Sequence, residues 1–141
     1  KRYIAVVHGR CEKTERTITT YLAENKVHLV YSTTDATKGK LSHTAYRVLK
    51  ATKEFSLLEV NLLTGRKHQI RVHLAEIGHP VVGDEKYEKR KETYKRLALH
   101  AKSISFVHPI SGKRFTFETK FPEYFNKLVE GKEQREGLTG K

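Results

Sequence analysis

Three cations and three histidines are concentrated in one short stretch of this chain, LLTGRKHQIRVHLAEIGHPVVGD, at positions 62–84. Arg66 and Lys67 would stand at the positive, N-terminal end of a helix, where the helix dipole disfavours cations. An anion there would meet free backbone N–H groups and both side chains, while Arg71, further along, is suited to pairing with a carboxylate. The stretch therefore predicts an anion site, with a solvated basic helix face as the alternative.

The same stretch has the pattern of an amphipathic helix. We predict about three helical turns over residues 65–77, with the apolar face packed in the core. The residues behind this prediction are Thr64 as the N-cap, Ile70, Leu74 and Ile77 as the apolar face, and Gly78 and Pro80 as the end. His68 and His73 would lie about 140° apart around the helix, so they do not form the i, i+4 pair of a zinc site.

The overall charge points to a polyanionic partner. There are 28 Lys and Arg against 16 Asp and Glu, a formal net charge of +12. No stretch approaches the roughly 18 apolar residues that a membrane span requires, so nucleic acid is favoured over lipid. A generally basic surface without a specific partner is the alternative.

The composition also predicts how the chain is organised. At 141 residues it forms one domain that needs neither disulfides nor a structural metal to fold. The single cysteine, Cys11, and the lack of a signal-peptide pattern predict a cytoplasmic location. The sequence has no methionine and begins directly in the strand-like KRYIAVVHG, so we expect it to be part of a longer protein. We predict a domain over residues 1–129 and a disordered polar tail over residues 130–141.

Strand patterns flank the predicted helix on both sides. The predicted elements are a strand at residues 3–7 ended by Gly9, a hairpin at 46–63 turning at 52–54, a hairpin at 98–119 turning at 109–112, and a short helix in PEYFNKLV. Residues 15–40 predict an irregular segment with one edge strand near Val27 to Tyr31. The predicted fold class is α+β, a mixed, mainly antiparallel sheet with the 65–77 helix packed on it.

The cationic stretch at positions 62–84 resembles a family signature. LLTGRKHQIRVHLAEIGHPVVGDEKY contains TGR, HQIR, H, GHP and GD in the order and spacing of the RluA-type pseudouridine synthases. KRYIAVVHG resembles the segment that follows that family's catalytic motif, and RLALHAKSISFVHPISGKRFTFET resembles its closing hairpin. The resemblance extends from Lys1 to about Phe125, with Glu88 standing where the family usually has glycine. It implies about half of a synthase catalytic domain.

The resemblance implies an enzyme that isomerises uridine in RNA to pseudouridine, without a metal ion or cofactor. Ribosomal RNA is favoured as the partner over transfer RNA. The family uses a catalytic aspartate in an HRLD-type motif, and the two aspartates present, Asp35 and Asp84, do not follow His-Arg-Leu. We therefore expect the catalytic aspartate upstream of Lys1, and we expect this chain alone to be inactive.

The resemblance also assigns site residues. Tyr3 matches the family tyrosine, and a phenol can both stack on a flipped uracil and reach a proton on it. An ordinary strand tyrosine is the alternative. Arg71 matches the HQIR arginine and is predicted to hold the aspartate, with Arg66 in reserve. The predicted RNA-binding residues are Arg66, Lys67, His68 and Gln69, as contacts that position the backbone without reading sequence.

Two other functions fit the same residues. A noncatalytic RNA-binding domain on this scaffold would keep the basic groove and recognise RNA by shape and unpaired bases. A basic structural domain of the ribosome is the third possibility. In each case a half-domain leaves a sheet edge and apolar surface uncovered, which predicts self-association of the isolated chain.

Overall fold

Seven strands form one antiparallel sheet in the computed structural model, which describes residues 1–88, 96–107, 110–111, 113–118 and 123–130. The strands are β1 (Arg2–His8), β2 (Glu15–Glu24), β3 (Val30–Thr33), β4 (Lys40–Ala51), β5 (Phe55–Leu62), β6 (Leu99–Val107) and β7 (Arg114–Glu118). The helices are α1 (Gln69–Glu76) and α2 (Glu123–Glu130). The order across the sheet is β3-β2-β4-β5-β1-β6-β7. The predicted α+β class and mainly antiparallel sheet are confirmed, and every strand pair described is antiparallel.

Strand β1 lies at the centre of the buried part of the sheet. It pairs with β5 on one side and β6 on the other. The residues Ile4–Val7 of this strand are all 0% exposed. Because successive side chains of a strand point to opposite faces, both faces of β1 are covered. The pairing with β6 shifts register between Arg2 and Tyr3. Such irregularities occur where a strand redirects a side chain, and this one lies beside the predicted site tyrosine.

Both predicted hairpins are present. Strands β4 and β5 turn at residues 52–54, where the Thr52 N–H donates to the Phe55 carbonyl oxygen at 2.8 Å. Strands β6 and β7 pair with Ile104 opposite Phe117 and Phe106 opposite Phe115. The predicted turn of this second hairpin lies partly outside the described residues.

The segment over residues 15–40 is more regular than predicted. Strand β2 has ten residues and pairs along its length with β4, and the edge strand β3 is Val30–Thr33 rather than Val27 to Tyr31. The prediction failed because β2 buries only Ile18 and Leu22, so its apolar alternation is weak. Its threonines are β-branched and suit a half-exposed strand, which polarity alone does not reveal.

Helix α1 is shorter than predicted. It has eight residues, and its N-cap is His68, a residue in the left-handed conformation with φ 53° and no side-chain capping bond. The predicted N-cap, Thr64, instead donates its hydroxyl to the Gln69 side chain. The three-turn prediction was therefore wrong at its start, because a buried side chain shapes residues 64–68 into a turn. Its predicted end is confirmed, since Gly78 adopts φ 91° just after the helix.

Each helix contacts a different part of the sheet. Helix α1 lies against β3 and β4 and buries Ile70 and Leu74, as its apolar face predicts. Helix α2 confirms the predicted short terminal helix and contacts β5 and β1, with Phe125 in the main core. The predicted disordered tail lies outside the described residues apart from Glu130, the last residue of α2.

Candidate functional site

The turn between β5 and α1 is held by the amide of one buried side chain, Gln69. Its Oε1 accepts hydrogen bonds from the Arg66 backbone N–H and the Thr64 hydroxyl, each at 2.9 Å. Its Nε2 donates to the His43 carbonyl oxygen at 2.8 Å and to the Thr44 hydroxyl at 2.9 Å. The turn is therefore fastened to β4. Gln69 is 2% exposed with its amide fully engaged, so the predicted contact with RNA would require it to give up these hydrogen bonds.

A pocket of about 320 Å³ opens where this turn meets the first residues of the chain. It is lined by Lys1, Tyr3, Leu62, Leu63, Thr64, Gly65 and Arg66. The pocket brings together two residues that the sequence placed in the site, Tyr3 and Arg66, from positions far apart in the chain. The polar residues among these are two cations, a tyrosine and a threonine, and no acidic residue of the described part of the chain lines the pocket. Such a lining suits a negatively charged or electron-rich ligand.

The side chains of Arg66 and Lys67 are exposed, and their contacts with the rest of the protein are weak. The Arg66 guanidinium donates from Nε and Nη2 to the Leu41 carbonyl oxygen, at 3.3 and 3.0 Å. The Lys67 ammonium lies 2.6 Å from Glu24 Oε2, and this hydrogen bond lowers the pKa of the Glu24 carboxyl. Exposed ion pairs contribute little to stability, so Lys67 can exchange Glu24 for a phosphate at small cost.

His68 is half-buried at the start of α1. Its Nδ1 lies 2.7 Å from the Tyr87 hydroxyl, and the two rings meet edge to face with centroids 5.5 Å apart. Burial lowers the pKa of His68, and the nearby charge of Arg71 lowers it further. The imidazole is therefore neutral near neutral pH, and any contact with RNA would be a hydrogen bond rather than an ion pair.

Arg71 pairs with Asp84 within this chain. The Arg71 guanidinium donates from Nε to Asp84 Oδ2 at 3.0 Å and from Nη2 to Oδ1 at 2.8 Å. Burial alone would raise the pKa of Asp84, but the hydrogen bonds and charge of Arg71 lower it overall. The guanidinium also lies over the Tyr87 ring, 5.2 Å from its centroid. Arg71 is not among the residues that line the Tyr3 pocket.

The glycine before Asp84 explains the GD pair of the motif. Gly83 adopts φ 83°, and a Cβ built there would lie 1.9 Å from the Arg96 carbonyl oxygen. Only glycine fits this close approach, and the resulting turn places the Asp84 carboxylate beside α1. Asp84 belongs to the motif, but its partner could not be predicted, because residue spacing across a loop does not reveal which side chains meet.

His73 is fully buried beneath the site. Both its ring nitrogens face threonine hydroxyls, those of Thr20 and Thr44. Burial lowers the pKa of His73. No function was predicted for this histidine, apart from the exclusion of a zinc pair with His68, and in the structure it links β2, β4 and α1.

A larger cavity of about 710 Å³ lies elsewhere and contains none of the predicted site residues. Its lining includes Glu76 and Glu88, with His8 Nε2 3.8 Å from Glu88 Oε2. Two carboxylates disfavour an RNA phosphate, so this cavity is a poorer candidate than the smaller, cationic pocket.

The described part of the chain shows neither a metal site nor a membrane-spanning helix. Within those residues, no group of three or more His, Cys, Asp and Glu side chains is arranged to hold a metal ion. None of the helices described there has the length and apolar character to cross a membrane. Cys11 is buried, and burial raises the pKa of its thiol.

Comparison with known proteins shows consistent similarity. A family model described as RNA pseudouridylate synthase matches residues 1–76. The uncharacterized RNA pseudouridine synthase YjbO of Bacillus subtilis is 34% identical over 131 residues, which are 93% of this chain and 46% of that protein. The ribosomal large subunit pseudouridine synthase C of Rickettsia prowazekii is 34% identical over 133 residues, covering 92% of this chain and 44% of that protein. The chain thus spans less than half the length of these relatives.

Solved structures show the same likeness. Human RNA pseudouridylate synthase domain containing 1 superposes with a TM-score of 0.76 at 27% identity, covering 94% of this chain and 57% of that one. Human RNA pseudouridylate synthase domain containing 4 superposes with a TM-score of 0.74 at 20% identity, which shows a shared fold. In the first of these structures the matching region is little more than half of the chain.

Proposed function

The chain belongs to the RNA pseudouridylate synthase family, as an RluA-type member, and on this basis we propose that the protein containing it converts uridine in RNA to pseudouridine. The main structural support is the pocket shared by Tyr3, Arg66 and Lys1. The pocket offers a phenol to a base and cations to a carboxylate or a phosphate. A reducing compartment such as the cytoplasm is also proposed, because the sequence has a single cysteine.

The reaction requires a nucleophile that this chain does not bring to the pocket. Pseudouridine forms when the bond from uracil N1 to ribose C1′ breaks, the base turns, C5 joins C1′, the C5 proton leaves and N1 gains a proton. Asp35 accepts hydrogen bonds from Thr37 in a turn, and Asp84 is paired with Arg71. We propose that the aspartate implied by the family resemblance comes from a segment upstream of Lys1. Lys1 lines the pocket, so such a segment would join the structure there.

Tyr3 is proposed to contact the uracil. It lies in β1 between Val60 of β5 and Ala101 of β6, so its backbone is fixed by strands on both sides. A base flipped into the pocket could stack on its ring, while the phenolic oxygen reaches a proton of the base. Rigid placement on a central strand holds that oxygen close to one position.

Arg66 replaces Arg71 as the proposed partner of the catalytic aspartate. Arg66 shares the pocket with Tyr3, and the partner of its guanidinium is a neutral carbonyl oxygen. The charge of Arg71 is already balanced by the fully buried carboxylate of Asp84. Breaking a buried pair leaves an uncompensated charge, which costs several kcal/mol. A carboxylate entering the pocket would therefore bind Arg66 more readily.

Lys67 and His68 are proposed to contact the RNA backbone beside the pocket. Lys67 is exposed and bound to a surface carboxylate, and His68 directly follows it at the start of α1. These contacts would position the RNA without reading its sequence. We propose ribosomal RNA as the substrate, supported by relatives that are named ribosomal large subunit pseudouridine synthases C and D.

Release of tritium from C5-labelled uridine tests the proposal, because the C5 proton is lost when C5 joins C1′. The 141-residue chain and a version extended upstream through an HRLD-type motif would be assayed on ribosomal and transfer RNA transcripts. We expect release by the longer version only, abolished by Arg66→Gln. Arg47→Gln is the matched control, since Arg47 is exposed and pairs with Glu59 on another part of the sheet.

The outcomes separate the candidate functions. Release on ribosomal transcripts but not transfer RNA supports the proposed substrate. Release by neither version on either RNA contradicts the synthase and favours a noncatalytic RNA-binding domain. Equal activity of Arg66→Gln and Arg47→Gln would leave the synthase intact and contradict the role of Arg66.

A further inference from the structure

Six side chains form a continuous hydrogen-bonded chain from the far end of α1 to the turn that lines the pocket. In order, they are Glu76, Ser32, Thr20, His73, Thr44 and Gln69. The Ser32 and Thr20 hydroxyl oxygens are 2.9 Å apart, and His73 Nε2 is 2.8 Å from Thr20 Oγ1. On the other side, His73 Nδ1 is 2.7 Å from Thr44 Oγ1, which accepts Gln69 Nε2–H at 2.9 Å. The imidazole, 0% exposed, is the central link.

The direction of the hydrogen bonds is set at the Gln69 end by backbone groups. The Arg66 N–H can only donate, so it must face Gln69 Oε1, and the His43 carbonyl can only accept, so it must face Nε2. The second Nε2 proton then goes to Thr44 Oγ1. The buried Thr44 hydroxyl also needs an acceptor for its own proton, and its other partner among the described residues is His73 Nδ1, so the proton is directed to that nitrogen. This nitrogen must therefore carry no proton.

The Glu76 end of this hydrogen-bonded series independently sets the same direction of proton donation. The Glu76 carboxylate accepts the Ser32 N–H at 3.1 Å, and a carboxylate can only accept, so it also takes the Ser32 hydroxyl proton. The contact between Ser32 and Thr20 is then completed by the Thr20 hydroxyl proton. Thr20 Oγ1 is left to accept from His73 Nε2. Both ends therefore require a neutral imidazole with its proton on Nε2.

We propose that His73 is a positioning residue: as the neutral Nε2–H tautomer it accepts the Thr44 hydroxyl and thereby holds the Gln69 amide that shapes the Thr64–Arg66 turn beside Tyr3. This inference rests on the proposed function for its catalytic consequence, and on hydrogen-bond geometry alone for the tautomer. Gln69 meets Thr44 on one side and the turn on the other. A change at His73 is therefore transmitted to Arg66 through two side chains.

The two edges of the imidazole have different consequences for the site. The Nδ1 edge faces Thr44 and, through it, the Gln69 amide, whereas the Nε2 edge faces Thr20 and strand β3. Loss of the Nδ1 acceptor leaves the buried Thr44 hydroxyl proton without a partner and loosens Gln69. Loss of the Nε2 donor disturbs the region away from the pocket. A role limited to filling space would not distinguish the two edges.

Nitrogen NMR of the histidine side chains in the 141-residue chain tests the tautomer. The His73 signals would be assigned by their disappearance in His73→Asn. We expect a neutral ring protonated at Nε2 near neutral pH. A ring protonated at Nδ1, or an imidazolium, overturns the proposal. This measurement needs no catalytic activity, so it decides the tautomer even if the protein is not a synthase.

Two substitutions in the extended, active version test the positioning role. In His73→Asn, the side-chain oxygen can replace Nδ1 as the acceptor for Thr44, while His73→Gln can replace the Nε2 donor to Thr20. We expect His73→Asn to keep kcat within about threefold, and His73→Gln to lose at least about tenfold in kcat with little change in KM, since small misplacements of a catalytic group cost that much or more. Equal kcat for the two variants, or a larger loss in His73→Asn, overturns the role. A wild-type version that releases no tritium contradicts the proposed function instead.

Discussion

The guanidinium of Arg71 makes two parallel hydrogen bonds to the carboxylate of Asp84, at 3.0 and 2.8 Å. The pair joins helix α1 to the segment that follows the Gly83 turn. Its carboxylate is fully buried, and the backbone N–H groups of Lys86 and Tyr87 also donate to Asp84 Oδ1. In this chain two residues of the motif thus form a buried ion pair, and the arginine proposed for catalysis is the other one, Arg66.

Removal of the Arg71 charge should destabilise the fold. We expect Arg71→Gln to lower the free energy of unfolding by about 3 kcal/mol, because it leaves the buried Asp84 carboxylate uncompensated. Urea denaturation followed by circular dichroism measures this. Arg47→Gln, which breaks the exposed pair with Glu59, is the control and should cost less than about 1 kcal/mol. Similar costs for the two variants would contradict a buried ion pair.

The Tyr3 hydroxyl should be required for turnover but not for RNA binding. In the extended version, we expect Tyr3→Phe to reduce tritium release at least about a hundredfold, the usual scale for loss of a positioned proton-transfer group. RNA affinity should change little, because the ring that stacks on the base remains. Tyr31→Phe, on the edge strand β3, is the matched control and should leave the rate unchanged. A fully active Tyr3→Phe would indicate an ordinary strand tyrosine.

Lys67 should contribute to RNA binding through charge. Each phosphate neutralised contributes a slope of about −0.7 in log affinity against log salt for single strands. We expect Lys67→Gln to reduce the magnitude of that slope by about this amount while leaving kcat at saturating RNA unchanged. Fluorescence anisotropy at several salt concentrations measures it, with Lys53→Gln, in the exposed β4–β5 turn, as the control. An unchanged slope in Lys67→Gln would exclude a phosphate contact.

The stability that depends on His73 should fall in acid. The ordinary pKa of histidine is about 6.5. Burial lowers the pKa of His73 in the fold, the neighbouring His43 lowers it further, and Glu76 opposes the change. Below about pH 6.5 the unfolded chain therefore binds a proton that the folded chain does not, and stability falls until the lowered folded pKa is reached. Above pH 6.5 this contribution is fully present.

Comparison with His73→Asn isolates this pH dependence from that of the other histidines. Wild-type and variant would be unfolded in urea at several values between pH 7.5 and 5.5. We expect the difference in their free energies of unfolding to shrink as the pH is lowered. A difference that stays constant or grows would contradict a neutral buried imidazole.

Self-association of the isolated chain remains a prediction, and the structure limits where it can occur. At the β3 edge, the Val30 N–H donates to the Tyr87 hydroxyl at 3.1 Å and the Ser32 N–H donates to Glu76. Side chains thus bind two backbone N–H groups of this edge strand that would otherwise be free to pair with another strand. We expect Glu76→Ala to increase the concentration dependence of the mass measured by light scattering. A monomer at all concentrations in both proteins would contradict the prediction.

The sequence by itself determined the fold class, both hairpins, the end of α1 and the family. These features depend on local patterns: alternation of apolar residues in strands, glycine where φ must be positive, and motif residues at fixed spacing. The motif match also named Tyr3 and Arg71 as catalytic residues and Arg66 as an RNA-binding residue, and these roles remain predictions. Prediction from the sequence failed at β2, whose one-sided burial weakens the alternation, and at the start of α1.

Only the tertiary structure decided which motif residues lie together. Arg66 and Arg71 are five positions apart, and the motif match favoured Arg71 as the partner of the aspartate, yet Arg66 lines the pocket with Tyr3 and Arg71 binds Asp84. Gln69 is polar, yet it is buried, because its amide donates a hydrogen bond to the backbone of β4 and shapes the turn. The physical reason is that such pairings depend on strand register and on buried groups finding hydrogen-bond partners, and these join residues far apart in the chain.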